Sequence, residues 1–150
     1  MNKSELQKKS DKLREYHNKI KGFYNDYAKS IGITIATLEV LNIIINVKNC
    51  TQRIITQKTY FPKQTVNAII KTLSSQNLIE PLTESGSDKR SKIIKLTQEG
   101  IIFAKNSMKK INEVEYYALE KLGSKKCEAL LSIMQEYLNN INMIRIENRG

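Results

Sequence analysis

Residues 79–100, IEPLTESGSDKRSKIIKLTQEG, leave the backbone few options. Ile79, Pro81, Leu82 and Thr83 lead into Glu84-Ser85-Gly86-Ser87, where polar side chains and a glycine favour a turn over a packed strand. Ile93, Ile94 and Leu96 then form a second β-branched and apolar run. Thr97 follows at once, a residue whose hydroxyl caps helices by accepting from an orphan backbone N–H. The segment predicts a β-hairpin that feeds directly into a helix.

Between the two arms lies Asp88-Lys89-Arg90-Ser91-Lys92, three cations and one acid at the exposed tip. An arginine carried on such a tip fits a narrow DNA minor groove, where phosphate walls concentrate negative potential. The ordered pattern Asp88-x-Arg90 followed by Lys95-Leu96-Thr97-x-x-Gly100 resembles the wing of the MarR (multiple antibiotic resistance regulator) family of winged helix-turn-helix transcription regulators. The resemblance implies a mainly α fold with a small β-hairpin: a winged helix-turn-helix lobe, plus N- and C-terminal dimerisation helices. It implies wing contacts to DNA from Asp88, Lys89, Arg90 and Lys92.

The rest of the chain has room for that lobe. From Leu6 to Ile31, Leu13, Tyr16, Ile20, Phe23, Tyr24, Tyr27 and Ile31 recur every three or four residues, the stripe of an amphipathic helix. Gly32 ends it. Thr34 is positioned to cap a second helix, Ile35–Val47, which is apolar nearly all round and so belongs in the core. After the break Lys48-Asn49-Cys50, a short helix is expected from Thr51 or Gln52 to about Lys58-Thr59-Tyr60. Phe61-Pro62 forces a turn, since the residue before proline is driven out of the α region. A longer helix then runs over about Lys63–Gln76. Short helix, tight turn and longer helix is the spacing of a helix-turn-helix. Asn77 suits the left-handed conformation that ends such a helix.

In that longer helix Val66, Ile69, Ile70 and Leu73 share the inward side, leaving Lys63, Gln64, Thr65, Asn67, Ala68, Lys71 and Thr72 outward or flanking. Glutamine and asparagine amides pair with adenine N6 and N7, threonine meets a thymine methyl, and lysine binds guanine or phosphate. Phe61-Pro62-Lys63-Gln64-Thr65-Val66-Asn67 also resembles the start of the recognition helix in one branch of the family. By position, Gln64, Thr65 and Asn67 reach base edges, and Lys63 and Lys71 reach phosphates. Ala68 departs from the arginine common there, so one contact is missing.

After Thr97, Ile101, Ala104, Met108, Ile111, Val114, Ala118 and Leu122 form a long stripe, broken at Gly123-Ser124, where Ser124 is expected to cap a last helix. Cys127, Leu130, Leu131, Met134, Leu138, Ile141 and Ile144 continue the pattern. The terminal helices hold more apolar surface than the central unit can cover, which points to packing on one another and on a second copy. The chain reads as one domain, 1–150, with dimerisation helices at 1–31 and 101–150 and the DNA-binding lobe at 33–100. A homodimer of this kind implies a pseudo-palindromic operator with half-sites about one helical turn, ~34–36 Å, apart. The family also implies a small, apolar or phenolic effector in a cleft for which Tyr16, Ile20, Phe23, Tyr24, Leu38 and Ile111 are candidates.

Charge agrees with a polyanionic partner. The chain carries a net +10, and residues 48–100 hold nine Lys/Arg against four Asp/Glu, half of the excess in the central third. Cys50 and Cys127 lie far apart, outside any metal-ligand spacing, and His17 is the single histidine. No metal or cofactor site is expected, and the thiols point to a reducing cytoplasm. No apolar run reaches the roughly 20 residues that span a bilayer. Phosphate loops, HExxH and Ser/His/Asp arrangements are missing, which argues against an enzyme. The reading is therefore a sequence-specific double-stranded DNA-binding regulator, a repressor modulated by a small ligand. Its alternatives are a thiol-switched regulator using Cys50 or Cys127, and a winged-helix module that binds RNA or docks a protein.

Overall fold

The structure, a computed structural model, describes residues 1–80 and 92–147, with side chains to residue 143. Six helices follow in order: α1 (Lys3–Ser30), α2 (Ile35–Asn46), α3 (Gln52–Thr59), α4 (Lys63–Ser75), α5 (Gln98–Leu122) and α6 (Ser124–Glu147). The chain resolves into two compact units, residues 1–111 and 112–150.

Side-chain capping explains where α1, α2 and α3 begin. Asn2, Thr34 and Thr51 each accept a backbone N–H three residues ahead, from Glu5, Thr37 and Ile54 respectively. Gly32, at φ +78°, ends the α1 region in a conformation that costs a glycine little. Within the unit α2 packs against α1, α3 and α4, and α3 against α4. The core gathers Val40, Leu41 and Ile44 of α2, Ile55 of α3, Val66, Ile70 and Leu73 of α4, and Ala104 of α5. Cys50, Leu78, Ile79, Ile94 and Leu96 complete it from the connecting segments.

The expected β-hairpin appears only in part. Among the described residues there is no strand, only two isolated antiparallel bridges, Ile79 with Leu96 and Thr51 with Ile93. At the first, the Glu80 amide donates to the Lys95 carbonyl at 2.9 Å and the Thr97 amide to the Leu78 carbonyl at 3.1 Å. At the second, the Ile94 amide donates to the Cys50 carbonyl at 2.7 Å, so Ile93 and Ile94 lie against the segment before α3. The turn 84–87 and the cationic tip Asp88, Lys89 and Arg90 lie outside the described residues.

The second unit is the rest of α5 and α6. Gly123, at φ +76°, closes α5 by donating to the Leu119 carbonyl and then supplies the carbonyl that accepts from the Cys127 amide. Ser124 was expected to cap α6 but is its first helical residue, and its hydroxyl bonds the Glu128 carboxylate at 3.0 Å instead. The glycine takes the cap position because only it adopts the left-handed backbone cheaply. Among the described residues no single helix is long and apolar enough to cross a membrane.

Candidate nucleic-acid interface

The helix-turn-helix is built from α3, the turn Tyr60-Phe61-Pro62, and α4. Tyr60 ends α3 in the left-handed region, φ 58°, with its amide on the Thr56 carbonyl. The Thr59 hydroxyl donates to the Ile55 carbonyl and accepts from the Phe61 amide, which fixes the reversal locally. Gln52 Nε2 donates to the Lys63 carbonyl at 3.3 Å, tying the start of α3 to that of α4. Pro62 is the residue before α4 and offers no side-chain cap, and the first turn holds no acid. The exposed amides and the positive end of the helix dipole therefore face outward uncompensated.

Burial sets the rotation of α4. Val66, Ile70 and Leu73 are buried and Ile69 is half-buried, so Lys63, Gln64, Thr65, Asn67, Ala68 and Lys71 are all exposed. The five candidate contacts on this helix thus share its uncovered side. Lys92 is exposed near the second bridge, whereas Asp88, Lys89 and Arg90 lie outside the described residues.

The wing-to-helix junction has tight geometry. The Thr97 hydroxyl accepts from the Gly100 amide at 3.0 Å, capping α5, and donates to the Asn77 carbonyl at 2.8 Å. Asn77 itself is left-handed, φ 56°, as expected of the residue ending α4. A Cβ at Gly100 would overlap the Leu78 carbonyl, with its carbon 2.9 Å away. The Lys95-Leu96-Thr97-x-x-Gly100 pattern thus locks the second arm, the end of α4 and the start of α5 together.

The six candidate effector residues differ in burial. Tyr16, Ile20 and Phe23 are exposed on α1, Tyr24 is half-buried with its ring edge-on to Phe23, and Leu38 and Ile111 are buried. Tyr27, read in the sequence only as part of the α1 stripe, donates its hydroxyl to the Ser107 carbonyl at 2.9 Å. Tyr60 was also missed as a site feature. Its ring is 88 % exposed beside the start of α4, a signal visible only once the left-handed turn is known. Cys50 is buried, and desolvation pushes its thiol up to about 11. Cys127 is half-buried and its thiol faces the Leu119 carbonyl at 3.1 Å.

A helix-turn-helix pair, the Ile79–Leu96 bridge after it and a capped long helix define a mostly helical protein of the helix-turn-helix class. The family model described as MarR family matches residues 31–91. The chain is similar to NMB1585, a MarR family regulator from Neisseria meningitidis, at 25 % identity and TM-score 0.79 over 99 % of both chains. MepR of Staphylococcus aureus in a DNA complex is similar at 20 % identity and TM-score 0.70, covering 94 % of this chain and 98 % of that one. The Staphylococcus aureus MarR complex with salicylate and kanamycin is similar at 15 % identity and TM-score 0.75, over 94 % and 95 %. A search of the curated proteins returned no match. The likeness to the MarR family thus runs over residues 31–91 by sequence and over nearly the whole chain by fold.

Proposed function

We propose that the protein is a homodimeric, sequence-specific double-stranded DNA-binding regulator, a repressor whose affinity is modulated by a small ligand. The observation that carries the reading is the exposed row Lys63, Gln64, Thr65, Asn67 and Lys71 on a helix held by its other side in the core. That side fits a major groove: Gln64 and Asn67 pair with adenine edges, Thr65 with a thymine methyl, and the two lysines with phosphates. The uncapped start of α4, without an acid, suits a phosphate oxygen. Asp88, Lys89, Arg90 and Lys92 are assigned to the wing, with Arg90 in the minor groove.

The dimer is supported by α6, whose described side chains are exposed throughout except for the half-buried Cys127. Leu130, Leu131, Ile133, Met134, Leu138 and Ile141 stand in water on a helix that an apolar partner would stabilise. Repression and release by an effector are carried over from the family. The thiol-switch alternative is disfavoured by Cys50, since a buried thiol held protonated is a poor nucleophile.

Selection of bound fragments from a random duplex pool tests this reading. It expects a pseudo-palindrome and an affinity whose logarithm falls by ~0.9 per phosphate contact with log salt. Equal binding to single-stranded RNA, with no duplex sequence recovered, would overturn it.

A further inference from the structure

We infer that the first unit carries a binding groove for an amphipathic organic anion, a hydrocarbon-chain carboxylate, formed where α2, the second arm and α5 meet. The groove is open to solvent and offers about 420 Å³, within the range of about 300–1,000 Å³ typical of small-molecule sites. Its walls include Ile45, Val47, Ile93, Leu96 and Ile101. Ile45, Val47 and Ile101 are half-buried and Ile93 is 37 % exposed, so the fold leaves apolar surface uncovered here. The lining holds no aromatic side chain, which favours an aliphatic occupant.

Charge decides the headgroup. Among the described residues, Lys95 and Lys105 are the charged residues of the lining, both exposed, with no carboxylate beside them in it. Among the described residues neither lysine is in an ion pair. Two lysines in the lining of an aliphatic groove match an anionic head on a hydrocarbon chain, and repel a cationic amphiphile. None of Tyr16, Ile20, Phe23, Tyr24, Leu38 and Ile111 lines this groove.

The occupant would touch both partners of a single backbone bridge. Cys50 and Ile94 line the groove and are joined by the Ile94 amide on the Cys50 carbonyl. A chain lying across them braces the arm that leads from residues 81–91 into α5. This regulatory meaning rests on the effector-responsive reading above, whereas binding is read on the free protein without DNA.

The test is calorimetric titration of the full chain with decanoate below its micelle concentration. Saturable binding is expected, with neutral decanol and decyltrimethylammonium at least roughly tenfold weaker and Lys95→Glu/Lys105→Glu losing roughly tenfold for decanoate. Methyl NMR should place the largest decanoate shifts at Ile44, Ile93 and Ile101. No binding, equal binding of decanol, an unaffected double variant that unfolds like the parent, or shifts centred on Ile133 and Ile141 of α6 would each overturn the site. Each of these failures leaves operator binding by the ligand-free protein intact, and loss of operator binding alone leaves the groove standing.

Discussion

Gly100 lies against the backbone carbonyl of Leu78 so closely that the first turn of α5 has no space for a side chain there. Gly100→Ala must push α5 off the arm or strain both, a loss of ~1–3 kcal/mol or more. Gly22 in α1 has nothing within 4 Å of where its Cβ would stand, so Gly22→Ala should gain ~0.5–1 kcal/mol from backbone entropy. Urea unfolding of the pair checks the opposite signs.

Thr97 supplies one hydroxyl to two backbone groups, capping Gly100 and holding Asn77. Thr97→Ala should cost ~1–2 kcal/mol, while Thr97→Ser should retain most of the stability. Faster hydrogen exchange at the Gly100 amide in the alanine variant would localise the loss.

On DNA, the α4 residues should separate by role. Gln64→Ala or Asn67→Ala should lose ~1–3 kcal/mol at particular base pairs and relax specificity there, whereas Lys63→Ala or Lys71→Ala should weaken all sequences alike and lower the salt slope by ~1. Under the proposed wing assignment, Arg90→Ala should weaken binding broadly and Asp88→Ala less. Operator titrations at several salt concentrations distinguish these patterns.

The Cys50 thiol sits in the core with its pKa raised to about 11, so almost none is thiolate at neutral pH. Thiol reagents should modify Cys50 only through unfolding, and peroxide should leave DNA binding unchanged. Because the folded state holds this proton more tightly than the unfolded chain, the contribution is complete below about pH 9. It should fall by at most ~1.4 kcal/mol per pH unit between there and about 11. The difference between parent and Cys50→Ala unfolding curves across that range isolates it.

Leu131, 68 % exposed, and Leu138 lie seven residues apart on α6. Leu131→Glu/Leu138→Glu should shift the protein from dimer to monomer in sedimentation and lose cooperative binding to a two-half-site operator. A double variant that stays dimeric would remove α6 from the interface.

Much of this was legible because it depends on near neighbours in sequence. Thr34 and Thr51 cap the helices that follow them, Gly32 and Asn77 end segments in the left-handed region, and the three-and-four spacing of Val66, Ile70 and Leu73 set the buried side of α4. That same spacing determined which polar residues of α4 are uncovered. Tertiary packing decided the rest. Ile93 pairs with Thr51, forty-two positions away, because the second arm lies beside the segment entering α3, a choice made by the shared core of Cys50, Ile55 and Ile94. Gly123 displaced Ser124 as the cap of α6, and the groove beside Lys95 and Lys105 exists only where three distant segments meet. Local propensity fixes caps and faces through contacts within a turn or two, whereas the partner of an arm and the shape of a cavity depend on segments that only folding brings together.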